Sequence, residues 1–177
     1  MPAPVADLLQ RLDCPLRLAA HLRAVHDVAC QLTNWAGRRR PPLTFDRDAV
    51  LFGAATHDIG KIMHVAELSG PGSAHEEAGR QILLANGVSP QLARFAATHA
   101  SWTRPDAGIE DLMVSVADKI WKNKRVPELE NLLIARLAAS SGREPWEEFV
   151  ALDEFLGRIG DGADERLAFQ ASFLTHA

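Results

Sequence analysis

The stretch Thr56-His57-Asp58-Ile59-Gly60-Lys61 closes an apolar run, Val50-Leu51-Phe52-Gly53-Ala54-Ala55, and sets a histidine beside an aspartate. Adjacent residues on a helix point about 100° apart, so both reach one ion only near a helix end or from a wall of a bundle. Burying an imidazole next to a carboxylate without partners is costly. A divalent cation removes that cost, because it takes neutral imidazole nitrogen and carboxylate oxygen together. One His-Asp pair alone carries little weight. Its meaning comes from His21, His75, His99 and Asp118, spread through helical segments on both sides.

Those segments read as helices throughout. Residues 5–12 form a short one, ending near Asp13-Cys14-Pro15. Residues 16–36 carry Leu18, Leu22, Val25, Ala29 and Leu32 at three- and four-residue steps, one apolar stripe. Gly37, Arg38-Arg39-Arg40 and Pro41-Pro42 stop it, and the arginines read as a solvated end that complements the helix dipole. A helix capped within 44–46 runs to about Asp58, where Gly60 breaks it. Ser69-Gly70-Pro71-Gly72-Ser73 is a loop, and Ser73 with Glu76 has capping-box spacing. The helix it opens carries His75 and stops at Asn86-Gly87. Further helices run from Pro90 to about His99, over 109–123 with Asp118 near its end, over 127–139, from Pro145 to 159, and from 163 to about 175. Sustained period-two alternation is missing. The expected fold is an all-α single-domain helical bundle of seven to nine helices, with a motif-bearing core over about 16–125 and C-terminal helices over 127–175.

Composition narrows the class. The chain has 177 residues, 47% apolar, which suits one domain with a sizeable core. A net charge of -4 marks neither a nucleic-acid binder nor a membrane binder. Cys14 and Cys30 lack CxxC spacing, so neither a disulfide framework nor a cysteine zinc site is expected. Met1-Pro2-Ala3-Pro4 does not open a signal peptide, and no apolar run reaches the roughly 18 residues of a membrane span. A soluble cytoplasmic protein is the default. Tyrosine is absent and histidine occurs seven times. The candidate ligands, His21, His57, Asp58, His75, His99 and Asp118, are spaced so that a bundle brings them from different helices to one interior point. Trp35, Trp102, Trp121 and Trp146 are each expected in the core.

The ordered set of a histidine, a histidine-aspartate pair and a distant aspartate resembles the HD-domain superfamily of metal-dependent phosphohydrolases. His57-Asp58-Ile59-Gly60-Lys61 resembles its central motif, and Val116-Ala117-Asp118-Lys119 its final-aspartate helix. The resemblance covers roughly residues 16–125. It implies that His21, His57, Asp58 and Asp118 hold the principal metal, and that His75 and His99 match the extra histidines of members with two metals. The first histidine has a fallback. His21 is followed by Val25, Val28 and Ala29, like the family's pattern, whereas His26 is followed by Cys30 and Gln31. The two face about 140° apart on a helix, so they do not share one job; His26 is the alternative, or orients a ligand through its other ring nitrogen. His64 and His176 read as surface or loop residues. Thr98-His99-Ala100-Ser101-Trp102 stands where cyclic-dinucleotide phosphodiesterases of the superfamily carry a paired histidine and a Gly-Tyr-Pro motif, so that activity is disfavoured.

The function this implies is hydrolysis of a phosphate ester, of a nucleotide or another small phosphorylated molecule, by a metal-activated water. Asp58 is then ligand and orienting carboxylate. Lys61, one turn on, sets a cation near the non-bridging oxygens, its alternative being a solvated surface lysine. Lys119 and Arg125 are open between a phosphate-bearing mouth and a charged helix end, and Lys124 reads as the latter. Glu76 is explained by its capping role, with a base role as the alternative. The ligand set suits one or two ions of manganese, iron, cobalt, nickel, zinc or magnesium. Two other classes compete: a di-iron oxygenase of the same superfamily, and a non-catalytic metal-binding helical scaffold. A small phosphorylated substrate is the implied partner, with a homodimer open.

Overall fold

The computed structural model describes residues 1–41 and 43–173. Pro42, His176 and the expected end of the last helix near 175 lie outside the described residues. Among those described there are nine α-helices and no strand: α1 (Ala3–Arg11), α2 (Leu16–Gly37), α3 (Arg47–Thr56), α4 (Ala74–Ala85), α5 (Pro90–Thr98), α6 (Ile109–Ile120), α7 (Pro127–Ser141), α8 (Pro145–Asp161) and α9 (Ala163–Ala171). Two short 3-10 turns, Ile59–Ile62 and Val65–Leu68, join α3 to α4. The all-α expectation holds. No helix among the described residues is long and apolar enough to cross a membrane.

The α2 stripe does what its spacing implies. Leu18, Leu22, Val25, Ala29 and Leu32 are all buried. Two apolar clusters share this helix. The larger joins the C-terminal part of α2 to α3, α6, α7 and α8 through residues such as Val50, Val114, Leu133 and Leu156. The smaller joins Leu18 and Leu22 to α1, α4, α5 and the first 3-10 turn through Leu8, Ile59, Leu83 and Ala96. His21 stands where α2 passes from one cluster to the other, so the candidate site sits at their seam.

Helix α3 runs through the middle. The Asp46 carboxylate accepts from the Ala49 amide at 2.9 Å, a cap whose loss typically costs about 1 kcal/mol. Gly53 allows a close approach to α5 and α6, since a Cβ there would lie 2.7 Å from the Phe95 ring and 2.9 Å from Val114. The helix ends at Thr56, two residues earlier than expected, so His57 and Asp58 fall at and just past its terminus.

Several expectations are corrected. Ser73 makes no side-chain cap on α4. The Glu67 carboxylate, from the second 3-10 turn, accepts from the Ala74 and His75 amides instead, both at 3.2 Å. Arg39 is not a solvated helix end: it pairs with the buried Glu148 carboxylate and lies over the Trp35 ring. Arg125 pairs with Glu130 and Asp153, bonds that raise its pKa and give it a structural job. Trp146 is 66% exposed, because α8 turns that position to solvent, while Trp121 is core at 3%.

Candidate metal centre

Five elements deliver the six candidate side chains. His21 comes from the second turn of α2. His57 caps the C-terminus of α3, and Asp58 follows with non-helical backbone, φ -103° and ψ 11°. That break lets two adjacent residues aim at one place. His75 sits in the first turn of α4, His99 caps the end of α5, and Asp118 lies in the last turn of α6. All six are buried.

The side chains form two groups of three whose ligand atoms lie within 4.8 Å of one another: His21, His57 and Asp118, and Asp58, His75 and His99. Asp58 touches both. Its Oδ2 lies 3.1 Å from His21 Nε2 and 3.7 Å from His57 Nε2. Its Oδ1 lies 3.1 Å from His75 Nε2 and 3.5 Å from His99 Nε2. Asp118 Oδ1 lies 3.3 Å from His57 Nε2 and 4.0 Å from His21 Nε2. One carboxylate thus offers one oxygen to each side.

The outer ring nitrogens show how the imidazoles are aimed. His57 Nδ1 donates to the Ala54 carbonyl and His99 Nδ1 to the Ala96 carbonyl, each at 3.0 Å. His75 Nδ1 meets the Glu67 carboxylate. A carbonyl can only accept, so in the neutral rings of His57 and His99 Nε2 is the bare nitrogen, and it faces the centre. Backbone and carboxylate acceptors behind a histidine are what fixes a metal-ligating imidazole.

The electrostatics are those of a tightly coupled buried cluster. Burial would raise Asp58, but His57, His21 and His75 hold it well below the ordinary carboxylate range. Asp118 is held down in the same way by His57 and Lys119. Burial lowers His21, and burial together with His57 brings His99 down to about 4. Burial also works against the charged form of His57, yet Asp58 and Asp118 raise it. Two observations fit a cation here. His21 Nε2 and His57 Nε2 face each other at 3.2 Å, and the buried His75 Nε2, 3.1 Å from Asp58 Oδ1, makes no well-aligned hydrogen bond. Nitrogen and carboxylate donors of this kind suit a divalent transition ion, and either group of three could hold one.

The other described histidines, His26 and His64, lie elsewhere. His26 is buried on α2, where its polar partners are Asp27 and Cys30 rather than any of the six. His64 is half-buried in the turn between the 3-10 segments. Lys61 and Lys119 flank the centre: Lys61 Nζ reaches Asp58 Oδ2 at 2.6 Å, and Lys119 pairs with Asp118 while lying over the Trp102 ring. Glu67 escaped the sequence reading, because nothing in its own neighbourhood links it to a histidine eight positions on. Glu76 is half-buried, with a raised pKa from burial, and its expected capping role falls with that of Ser73. The cavity beside Asp58 is lined in addition by Arg17, Lys122 and Gln170, which no local motif distinguishes.

A model of the HD domain family matches residues 18–122, a segment that contains all six side chains. No curated protein and no solved structure gives a match. The matched segment is more than half of the chain and carries the histidine-aspartate pair at the seam of its two apolar clusters. The chain therefore belongs to the HD-domain family, a superfamily of metal-dependent hydrolases.

Proposed function

We propose that the protein is a metal-dependent phosphohydrolase that cleaves a phosphate ester of a nucleotide or another small phosphorylated molecule. The observation that carries this reading is the position of Asp58, whose two oxygens face two separate groups of imidazoles. In it, His21, His57 and Asp118 would hold one divalent ion and Asp58, His75 and His99 a second, with Asp58 presenting an oxygen to each group. The ions supply Lewis-acid polarisation of the phosphoryl group and a water made acidic enough to attack near neutral pH.

The chain's own groups do the rest. Asp58 and Asp118 bring negative charge that balances the ions and orients the attacking water by accepting its hydrogen bond. Lys61, now on Asp58 Oδ2, is near enough to turn its ammonium to a non-bridging phosphoryl oxygen. Glu67 keeps the His75 ring aimed inward. The imidazoles would give the ions neutral nitrogen donors that add no positive charge.

The same bridging carboxylate would serve two irons in an oxygenase, so the test must separate the two chemistries. Purified protein is analysed for bound metals, then assayed against a panel of phosphomonoesters and nucleotides with each metal added back. Phosphate release supported by added manganese, cobalt, nickel, zinc or magnesium supports hydrolysis. Two irons per chain with a visible absorption band and dioxygen uptake support the oxygenase. Asp58→Ala is expected to lose both ions and all activity; unchanged metal content in that variant, with no activity in the wild type toward any substrate tested, would favour the scaffold.

A further inference from the structure

Buried donors without acceptors are rare in folded proteins, and each asks for an explanation. Among the described residues, four buried side-chain nitrogens lack a partner: His75 Nε2, His21 Nδ1, Arg17 Nε and Trp121 Nε1. The first faces Asp58 within the proposed metal centre. The other three belong to residues that line one cavity of about 260 Å3, which Asp58 and Lys61 also line. With His21 Nε2 turned to the centre, its Nδ1 is a donor as well. Lys122 adds a third cation beside Arg17 and Lys61, against one carboxylate, Asp58. Three cations against one carboxylate leave an excess of positive charge around the cavity, a seat for an anion rich in oxygen.

Helix α9 forms another wall, through Leu167 and Gln170. It lies outside the family-matched segment. Arg166 holds it in place, donating from Nε to the Trp121 carbonyl at 2.7 Å and from Nη2 to the Ile159 carbonyl. So one wall of the cavity is built from the shared family core and the other from this chain's own C-terminal part.

Size and shape restrict the occupant. Clefts for drug-sized ligands run to about 300–1,000 Å3, and this cavity falls just below that range. It takes a phosphoryl group and a short chain. Trp121 offers no ring face for stacking a nucleobase: it is buried, His21 packs against it edge-on with centroids 4.9 Å apart, and Lys122 Nζ lies 5.8 Å from its centroid. Recognition of bases by aromatic side chains needs an open face.

We infer that this cavity seats the non-transferred part of the substrate and selects a compact, oxygen-rich phosphate ester, such as a phosphorylated polyol or hydroxy acid, over a nucleotide. Arg17 and Gln170 hydrogen-bond its hydroxyl or carboxylate oxygens, while Lys61 and Lys122 face the phosphoryl charge. This inference rests on the hydrolase reading above and narrows its substrate.

Calorimetric titration of manganese-loaded protein with glycerol phosphate and with AMP tests it. Glycerol phosphate is expected to bind at least about tenfold tighter, the worth of one charge-assisted hydrogen bond. Arg17→Met and Gln170→Leu are each expected to shrink that preference while manganese affinity stays unchanged. Gln170 is half-buried on α9, so its variant tests the wall even where Arg17→Met folds poorly. AMP binding as tightly as glycerol phosphate, no binding of either, or a preference that survives in both variants overturns the inference; solvent then satisfies the donors. If none of manganese, cobalt, nickel, zinc or magnesium binds the wild-type protein, the hydrolase reading falls, and the same two ligands titrated into metal-free protein still decide between a compact and a nucleotide anion.

Discussion

Gly60→Ala is the substitution on which the geometry speaks most sharply. A Cβ on residue 60 would lie 2.0 Å from the His75 carbonyl oxygen, 2.5 Å from the Gly79 amide nitrogen and 2.8 Å from the His75 carbonyl carbon. All three are backbone atoms of α4, so no side chain can rotate out of the way. Ordinary contact begins near 3.4 Å, so α4 or the 3-10 turn must retreat by about 1.4 Å. Overpacking of this kind costs roughly 1–3 kcal/mol, and a clash with backbone belongs at the upper end. For a chain of this size about 3 kcal/mol lowers the melting temperature by roughly 6–12 °C. The retreat also parts His75 from Asp58, now 3.1 Å apart, whereas ligand distances tolerate only about 0.2 Å. His21, His57 and Asp118 stand on α2, the end of α3 and α6, away from that contact. The expected outcome is a destabilised protein that keeps one ion per chain, against the two expected of the wild type under the proposed function. Elemental analysis and a thermal melt measure both. A variant with two ions and an unchanged melting temperature would refute the close-approach argument.

Three further outcomes are expected. Glu67→Ala removes the acceptor behind His75, so affinity for the ion held with His75 and His99 should fall about 10–100-fold while the other ion stays; stepwise metal titration reads this, and equal loss at both sites would contradict it. In metal-free protein His99 titrates at about 4, against about 6.5 in an unfolded chain. Between those values the unfolded chain binds a proton that the folded one declines, so stability is lost as pH falls from about 6.5 to 4, by on the order of 3 kcal/mol. Urea unfolding across that range should show the loss in wild type and a flatter profile in His99→Gln; parallel profiles would refute it. Arg39→Ala leaves the buried Glu148 carboxylate with only the Ser141 hydroxyl and should cost about 3 kcal/mol, visible in the urea midpoint.

Much of this protein was legible in its residues. Periodicity is a local property, and a stripe such as Leu18, Leu22, Val25, Ala29 and Leu32 reports a buried helix face wherever the helix packs. Loop signals such as Gly37 and Pro90 act within a residue or two, so the helices ended close to where the reading put them. The set His21, His57, Asp58, His75, His99 and Asp118 was also nameable, because adjacent His and Asp in an apolar run need a reason.

What the residues could not supply was anything that depends on which distant elements touch. Glu67 replaced Ser73 as the cap of α4 because the second 3-10 turn folds back onto that helix, a contact without trace in either residue's neighbours. Arg39 became half of a buried pair because α8 brings Glu148 to it across 109 positions. The division of Asp58 between two groups, one oxygen to each, is likewise tertiary. The same holds for the cavity wall that α9 raises opposite α2. Side-chain spacing along a helix is set by covalent geometry and so can be read in advance; the approach of two helices is set by how their whole surfaces fit, and becomes visible only when the chain has folded.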